Sequence, residues 1–198
     1  SRGTIQTGTQ TLSGGFGSSE DDYNFFGNPY QAAVDMEKVL DNTRGGTTNV
    51  NETYMYVWDT QLGTRGGFAC IDVKNSANNC PSDTEATKFL QPGQAAFFIT
   101  GSGGSAPGLE FQESDIITDE KNNNSGVIFD TPEIFSQNND SSIYFELFHS
   151  NRYQNGDKPQ DAVRFGFSAG FSDNITSKDA NQLGNIDENF SVYSNQKV

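Results

Sequence analysis

The chain has 198 residues, with 12 Lys and Arg against 26 Asp and Glu, a formal charge of −14. Such a charge repels phosphate backbones and anionic lipid and so excludes nucleic-acid and membrane-surface roles, while cations, neutral glycans and basic proteins remain as partners. The length suits one large β domain, and 16 Phe within an apolar fraction of only 33% predict a core of few, large rings packed on sheets.

In chain order, strand-length runs bounded by Gly, Asn and Pro are "TIQTGTQTL", "YNFFG", "TYMYVWD", "GGFACIDV", "QAAFFIT", "GLEFQ", "GVIFD", "SIYFELFH", "AVRFGFSAGF" and "NFSVYS". After "YNFFG", Gly27-Asn28-Pro29 ends the strand, because Pro29 fixes its own φ and pushes Asn28 out of the helical region. The one good helical candidate follows, "QAAVDMEKVLDN", with Ala33, Met36, Val39 and Leu40 at helical spacing. A weaker helical signal is "SKDANQLGN". Pro92-Gly93 fits the centre of a type II turn that launches "QAAFFIT". In "SIYFELFH", Ile143, Phe145 and Leu147 share one face and Tyr144, Glu146 and Phe148 the other, which predicts a central strand packed on both sides. Val163, Phe165, Phe167 and Ala169 share one face of "AVRFGFSAGF". Many strands without alternating helices predict an all-β fold, an antiparallel, jelly-roll-like β-sandwich with one short helix.

Cys70 and Cys80 flank the polar stretch "IDVKNSANN". In a chain of extracellular character, a disulfide closing this loop is expected rather than two free thiols. A zinc site needs more ligands than the single histidine, His149, can complete. No signal peptide or membrane span is visible, so no membrane insertion is expected, and the chain reads as a piece of a longer, processed protein.

The ordered motifs "YNFFGNPYQAAVD", "YMYVWD", "GGF" and "FLQPGQAAFFI" resemble the non-catalytic β module near the C-termini of large surface proteins exported by the type IX secretion system of Bacteroidetes. "GFSDNITSKDANQLGNIDENFSVYSNQ" is similar to the linker that precedes the sorting domain in that family. The resemblance implies one module over residues 1–198. Its C-terminal segment, residues 172–198, leads toward a sorting domain that lies beyond this sequence and contacts the secretion machinery. Phe26, Met36 and the Cys70 to Cys80 loop depart from the family pattern.

Candidate chemistry is sparse. A glycosidase needs two facing carboxylates about 5–10 Å apart. Most acids here lie in polar turns, leaving Asp35, Asp59, Asp72 and Glu146 beside apolar segments. Asp35 is expected to bond turn backbone rather than meet a cation with Glu20, Asp21 or Asp22. Calcium is the metal that loop carboxylates suit, and Asp173, Asp179, Asp187 and Glu188 are its candidate ligands. For a glycan, Tyr153 with Arg152 and Trp58 are the candidate contacts, Tyr153 being the ring expected at the surface. No nucleophile elbow, zinc-protease or phosphate-loop motif occurs. The leading expectation is a non-enzymatic structural or adhesive module of a secreted, cell-surface protein, contacting surface glycans, neighbouring domains or further copies. The alternatives are a carbohydrate-binding module and a glycan-active enzyme using loop acids.

Overall fold

A computed structural model of the chain describes residues 4–13, 17–118, 141–167, 176, 179–185 and 190–191. Over these residues the fold is all-β, antiparallel and sandwich-like. Its main sheet has the order β2-β7-β4-β5, built from β2 (Tyr23–Gly27), β7 (Ala95–Thr100), β4 (Val50–Asp59) and β5 (Gly67–Asp72). Register places Phe26 opposite Ala96 and Met55 opposite both Phe98 and Ile71. With Val57 and Ala69, these residues form the inner face of the sheet, and all are buried.

The opposing layer is assembled from short pieces. β1 (Gln10–Ser13) pairs with β8 (Gly108–Phe111), and β3 (Val34–Asp35) pairs with β6 (Phe89–Leu90). The helix α1 (Met36–Val39) follows β3 directly. Leu109, Phe111, Val34, Leu90, Met36 and Val39 from this layer complete the core. Burial of each such side chain contributes roughly 1.5–3 kcal/mol, so this layered contact dominates stability.

Local chemistry explains the corners. Asn28 is buried and replaces missing backbone pairing: its Nδ2 donates to the carbonyls of Ala32 and Leu90, both at 2.8 Å, and its Oδ1 accepts from Tyr30 N at 2.8 Å. At the expected type II turn, Gly93 has φ +76° and Gln94 N donates to Gln91 O at 3.0 Å. The predicted helix after Pro29 shrinks to α1, because Val34 and Asp35 pair with β6 before the helix begins. Ala33, Met36, Val39 and Leu40 are nevertheless all buried, as helical spacing required.

Further along, β9 (Ser141–Leu147) and β10 (Asp161–Phe167) form a separate two-stranded hairpin. A four-residue helical turn, α2 (Ser150–Tyr153), lies between them. "GVIFD" lies outside the described residues, and residues 179–185 of "SKDANQLGN" are not helical. No helix among the described residues is long and apolar enough to cross a membrane.

Candidate functional site

Alternation along the main sheet sends Tyr23 and Phe25 (β2), Phe97 and Ile99 (β7), Tyr54, Tyr56 and Trp58 (β4), and Phe68 and Cys70 (β5) to the outer face. The rings interlock rather than lie flat. Phe25 and Phe97 are tilted at 4.7 Å, Phe97 meets Phe68 edge-on at 5.6 Å, and Phe68 meets Trp58 edge-on at 4.9 Å. Alternating edge-to-face geometry makes a second, smaller core and not a planar platform for sugar rings. Leu183 packs on it, Tyr56 Oη donates to Asn181 O, and Phe68 N donates to Asn185 Oδ1 at 2.6 Å. A C-terminal piece of the chain thus covers part of the outer face.

Trp58 belongs to this cluster and is half-buried. Gly66, at φ +86°, closes over it so tightly that a Cβ there would lie 2.6 Å from the indole Nε1. Tyr153 is exposed, at 68%, as its loop context predicted. Its ring neighbour is Phe148, at 5.3 Å, so Tyr153 and Trp58 do not share one aromatic cluster. Arg152 sits beside Tyr153 on α2. Tyr30, Tyr54 and Tyr56 are buried.

The carboxylates serve local backbone. Asp35 caps α1 by accepting from Glu37 N at 3.1 Å, with Lys88 Nζ 3.6 Å away. Asp22 accepts from Ser19 N at 3.0 Å. Asp59, fully buried, accepts from Thr84 Oγ1 at 2.7 Å, Gln61 N at 2.8 Å and Glu85 N at 3.3 Å. Asp72 gathers Lys74 N, Asn75 N and Asn78 Nδ2 at 2.9–3.0 Å. Glu146 accepts from Ser82 Oγ at 3.1 Å. Each acid holds a turn or joins two segments, the use that short side chains beside tight backbone favour.

Of the calcium candidates, Asp173, Asp187 and Glu188 lie outside the described residues. Asp179 accepts from Thr176 N at 2.7 Å and Thr176 Oγ1 at 3.2 Å, a local turn. Among the described residues no three His, Cys, Asp or Glu side chains are grouped to hold a metal ion.

The expected Cys70 to Cys80 disulfide is corrected: both are free thiols. The loop between them is already closed by backbone, since Cys70 N donates to Cys80 O at 2.8 Å and Cys80 N to Cys70 O at 2.9 Å. Burial is the main cause raising both thiols, Cys80 to about 12 and Cys70 still further.

The β9–β10 hairpin carries the surface that sequence reading misplaced. Register pairs Ile143 with Phe165 and Phe145 with Val163, so one face collects Ile143, Phe145, Leu147, Val163, Phe165 and Phe167. This face points outward: Ile143 is 51%, Phe145 48% and Phe167 53% exposed. The polar face bonds to the body at its margin, where half-buried Tyr144 donates its Oη to Ala77 O at 2.8 Å and exposed Glu146 accepts from Ser82 Oγ at 3.1 Å. β9 is therefore not a central strand; it lies in a two-stranded sheet anchored by its polar side. Phe190 touches one end of the outward face, 6.4 Å from Phe145.

Asp161, the buried first residue of β10, fastens the C-terminal piece there. Its Oδ2 accepts from Phe190 N at 2.6 Å and Gln182 Nε2 at 3.1 Å, and burial raises its carboxyl above the usual range, partly offset by these donors. No family model matches the chain, and no curated protein or solved structure matches it.

Proposed function

We propose that this chain is a non-enzymatic structural and adhesive module of a cell-surface protein exported by the type IX route, acting through protein contacts between copies. The ordered motifs of the sequence support the export context, and a following sorting domain would engage the secretion machinery. One observation carries the contact: the hairpin turns Ile143, Phe145 and Phe167 to solvent while its polar side grips the body. A contiguous apolar face of this kind marks an interaction surface rather than ordinary scatter of surface hydrophobes. Among the described residues both outer edges of the hairpin lack a strand partner, so backbone donors and acceptors flank the apolar face. A two-fold axis brings the same face of two copies together, the usual geometry of a homodimer.

The charge of −14 opposes that approach and sets its salt dependence. Sedimentation velocity at rising protein concentration is expected to show reversible association that strengthens from low to physiological salt. A monomer at every concentration and salt would refute the self-contact.

A second reading, carbohydrate binding, rests on Tyr153, the most exposed aromatic ring among the described residues. A glycan array followed by titration calorimetry separates the two readings. Saturable binding lost in Tyr153→Ala would replace the structural reading by the second.

A further inference from the structure

We infer that the outer edge of β2 is a docking site for an extended, basic-ended segment of another protein, which joins the main sheet as a further strand. Register identifies the groups on offer. Thr100 N donates to Asp22 O at 2.8 Å and Asn28 N to Gln94 O at 3.0 Å, so the even-numbered residues of this run carry the bonds to β7. Antiparallel bonding alternates, and the amides and carbonyls of Tyr23, Phe25 and Gly27 therefore point away from β7. Among the described residues no group bonds to them, and β2 ends its sheet with a strand partner on one side only.

The side chains along this edge select the occupant. Phe25 is 50% exposed beside Phe97, and Gly27 contributes no side chain, so an added strand meets an apolar rim on the outer face. Alternate residues of the occupant are apolar to match. Immediately before the strand, Glu20 and Asp21 are exposed and Asp22 is half-buried, and among the described residues no Lys or Arg pairs with them. The described lysines are engaged elsewhere: Lys38 with Ser114 O, Lys74 with Glu52, Lys88 with Glu37 and Lys158 with Glu85. A Lys or Arg of the occupant finds unneutralised carboxylates there, whereas a second copy, at charge −14, brings like charge. In antiparallel addition, the stronger pairing, this end of β2 faces the C-terminal end of the incoming strand. The occupant thus alternates apolar residues and ends in Lys or Arg. Main-chain bonds supply the attachment, and the apolar rim and acidic end supply the selectivity.

The test uses the full chain and a fluorescently labelled peptide that alternates Thr and Val and ends in a Lys pair, read by anisotropy. Saturable binding is expected, weakening as salt rises and about tenfold weaker when Glu replaces the Lys pair. N-methylating the peptide amides that face the edge is expected to abolish it, because this removes main-chain donors and leaves the side-chain charges intact. Glu20→Gln combined with Asp21→Asn is expected to weaken binding and flatten its salt dependence, since Asn tolerates the φ of +68° at position 21. Phe25→Pro removes an outward amide that no bond within the sheet uses, and is expected to prevent binding.

Absence of saturable binding to the wild type, or binding that N-methylation leaves unchanged, overturns the inference without any variant having to fold. Self-association of the wild type that Phe25→Pro removes would assign the edge to a second copy and overturn it as well. Peptide binding lost in the triple variant Ile143→Ser, Phe145→Ser and Phe167→Ser would move the site to the hairpin. That variant leaves β2 intact, so failure at the edge and failure of the hairpin contact are read separately.

Discussion

The main sheet and the β9–β10 hairpin are made from the same alternating aromatic and aliphatic residues, yet one is sandwiched and the other is turned inside out. Phe26, Met55 and Phe98 lie between two layers, and the outer face of the same sheet is itself partly covered by Leu183. The hairpin instead anchors through Tyr144 and Glu146 and leaves Ile143, Phe145 and Phe167 half exposed. A pattern of alternation states that a strand has two unlike faces; which face is inward depends on the partner surface. Here the partner is the polar 73–82 loop, so hydrogen bonds fix the orientation.

The contrast can be broken most sharply in the main sheet. Phe98→Ala empties a fully buried site and is expected to cost about 3–5 kcal/mol in urea denaturation. A loss below about 1 kcal/mol would place the stabilising core elsewhere. Asn28→Ala removes three hydrogen bonds at the Gly-Asn-Pro corner and strands buried backbone groups, an expected loss of about 2–4 kcal/mol by the same measurement. Asp35→Ala removes the cap of α1 and the contact with Lys88, with an expected cost of about 1 kcal/mol; an unchanged midpoint would show that the cap is idle.

The smallest effect concerns pH at the hairpin. Asp161 has a folded-state carboxyl raised above its unfolded value, so the folded chain holds that proton more tightly. Its stabilising contribution is therefore fully present below the unfolded value and fades as pH rises through the folded one. Urea midpoints of wild type minus those of Asp161→Asn are expected to fall as pH is raised from the ordinary carboxylate range toward neutrality. A difference that rises over that range would reverse the sign.

Much of the main sheet was legible because its signals are local. "YNFFG" is β2 residue for residue, and Pro92-Gly93 gives the turn that starts β7. Asp35 was readable as a turn-bonding acid, since an Asp between a strand and a helical run is placed to cap. The α1 helix was overestimated because pairing of Val34 with Leu90 is a long-range event that no helical spacing reports. The cysteines were read by compartment, while the structure closes their loop with backbone bonds that spacing does not reveal. The outward hairpin face was missed for the same reason. Nothing within "SIYFELFH" says that the bonding partners of Tyr144 and Glu146 lie over 60 residues earlier.

The most direct measurement is sedimentation velocity of the wild type beside a triple variant, Ile143→Ser, Phe145→Ser and Phe167→Ser, with urea midpoints taken on both. The expected result is concentration-dependent association of the wild type, a monomeric variant, and midpoints that differ by less than about 1 kcal/mol in stability, since half-exposed side chains carry little of the core energy. Equal sedimentation of the two proteins, or a variant as unstable as Phe98→Ala, would contradict the hairpin as an outward contact face.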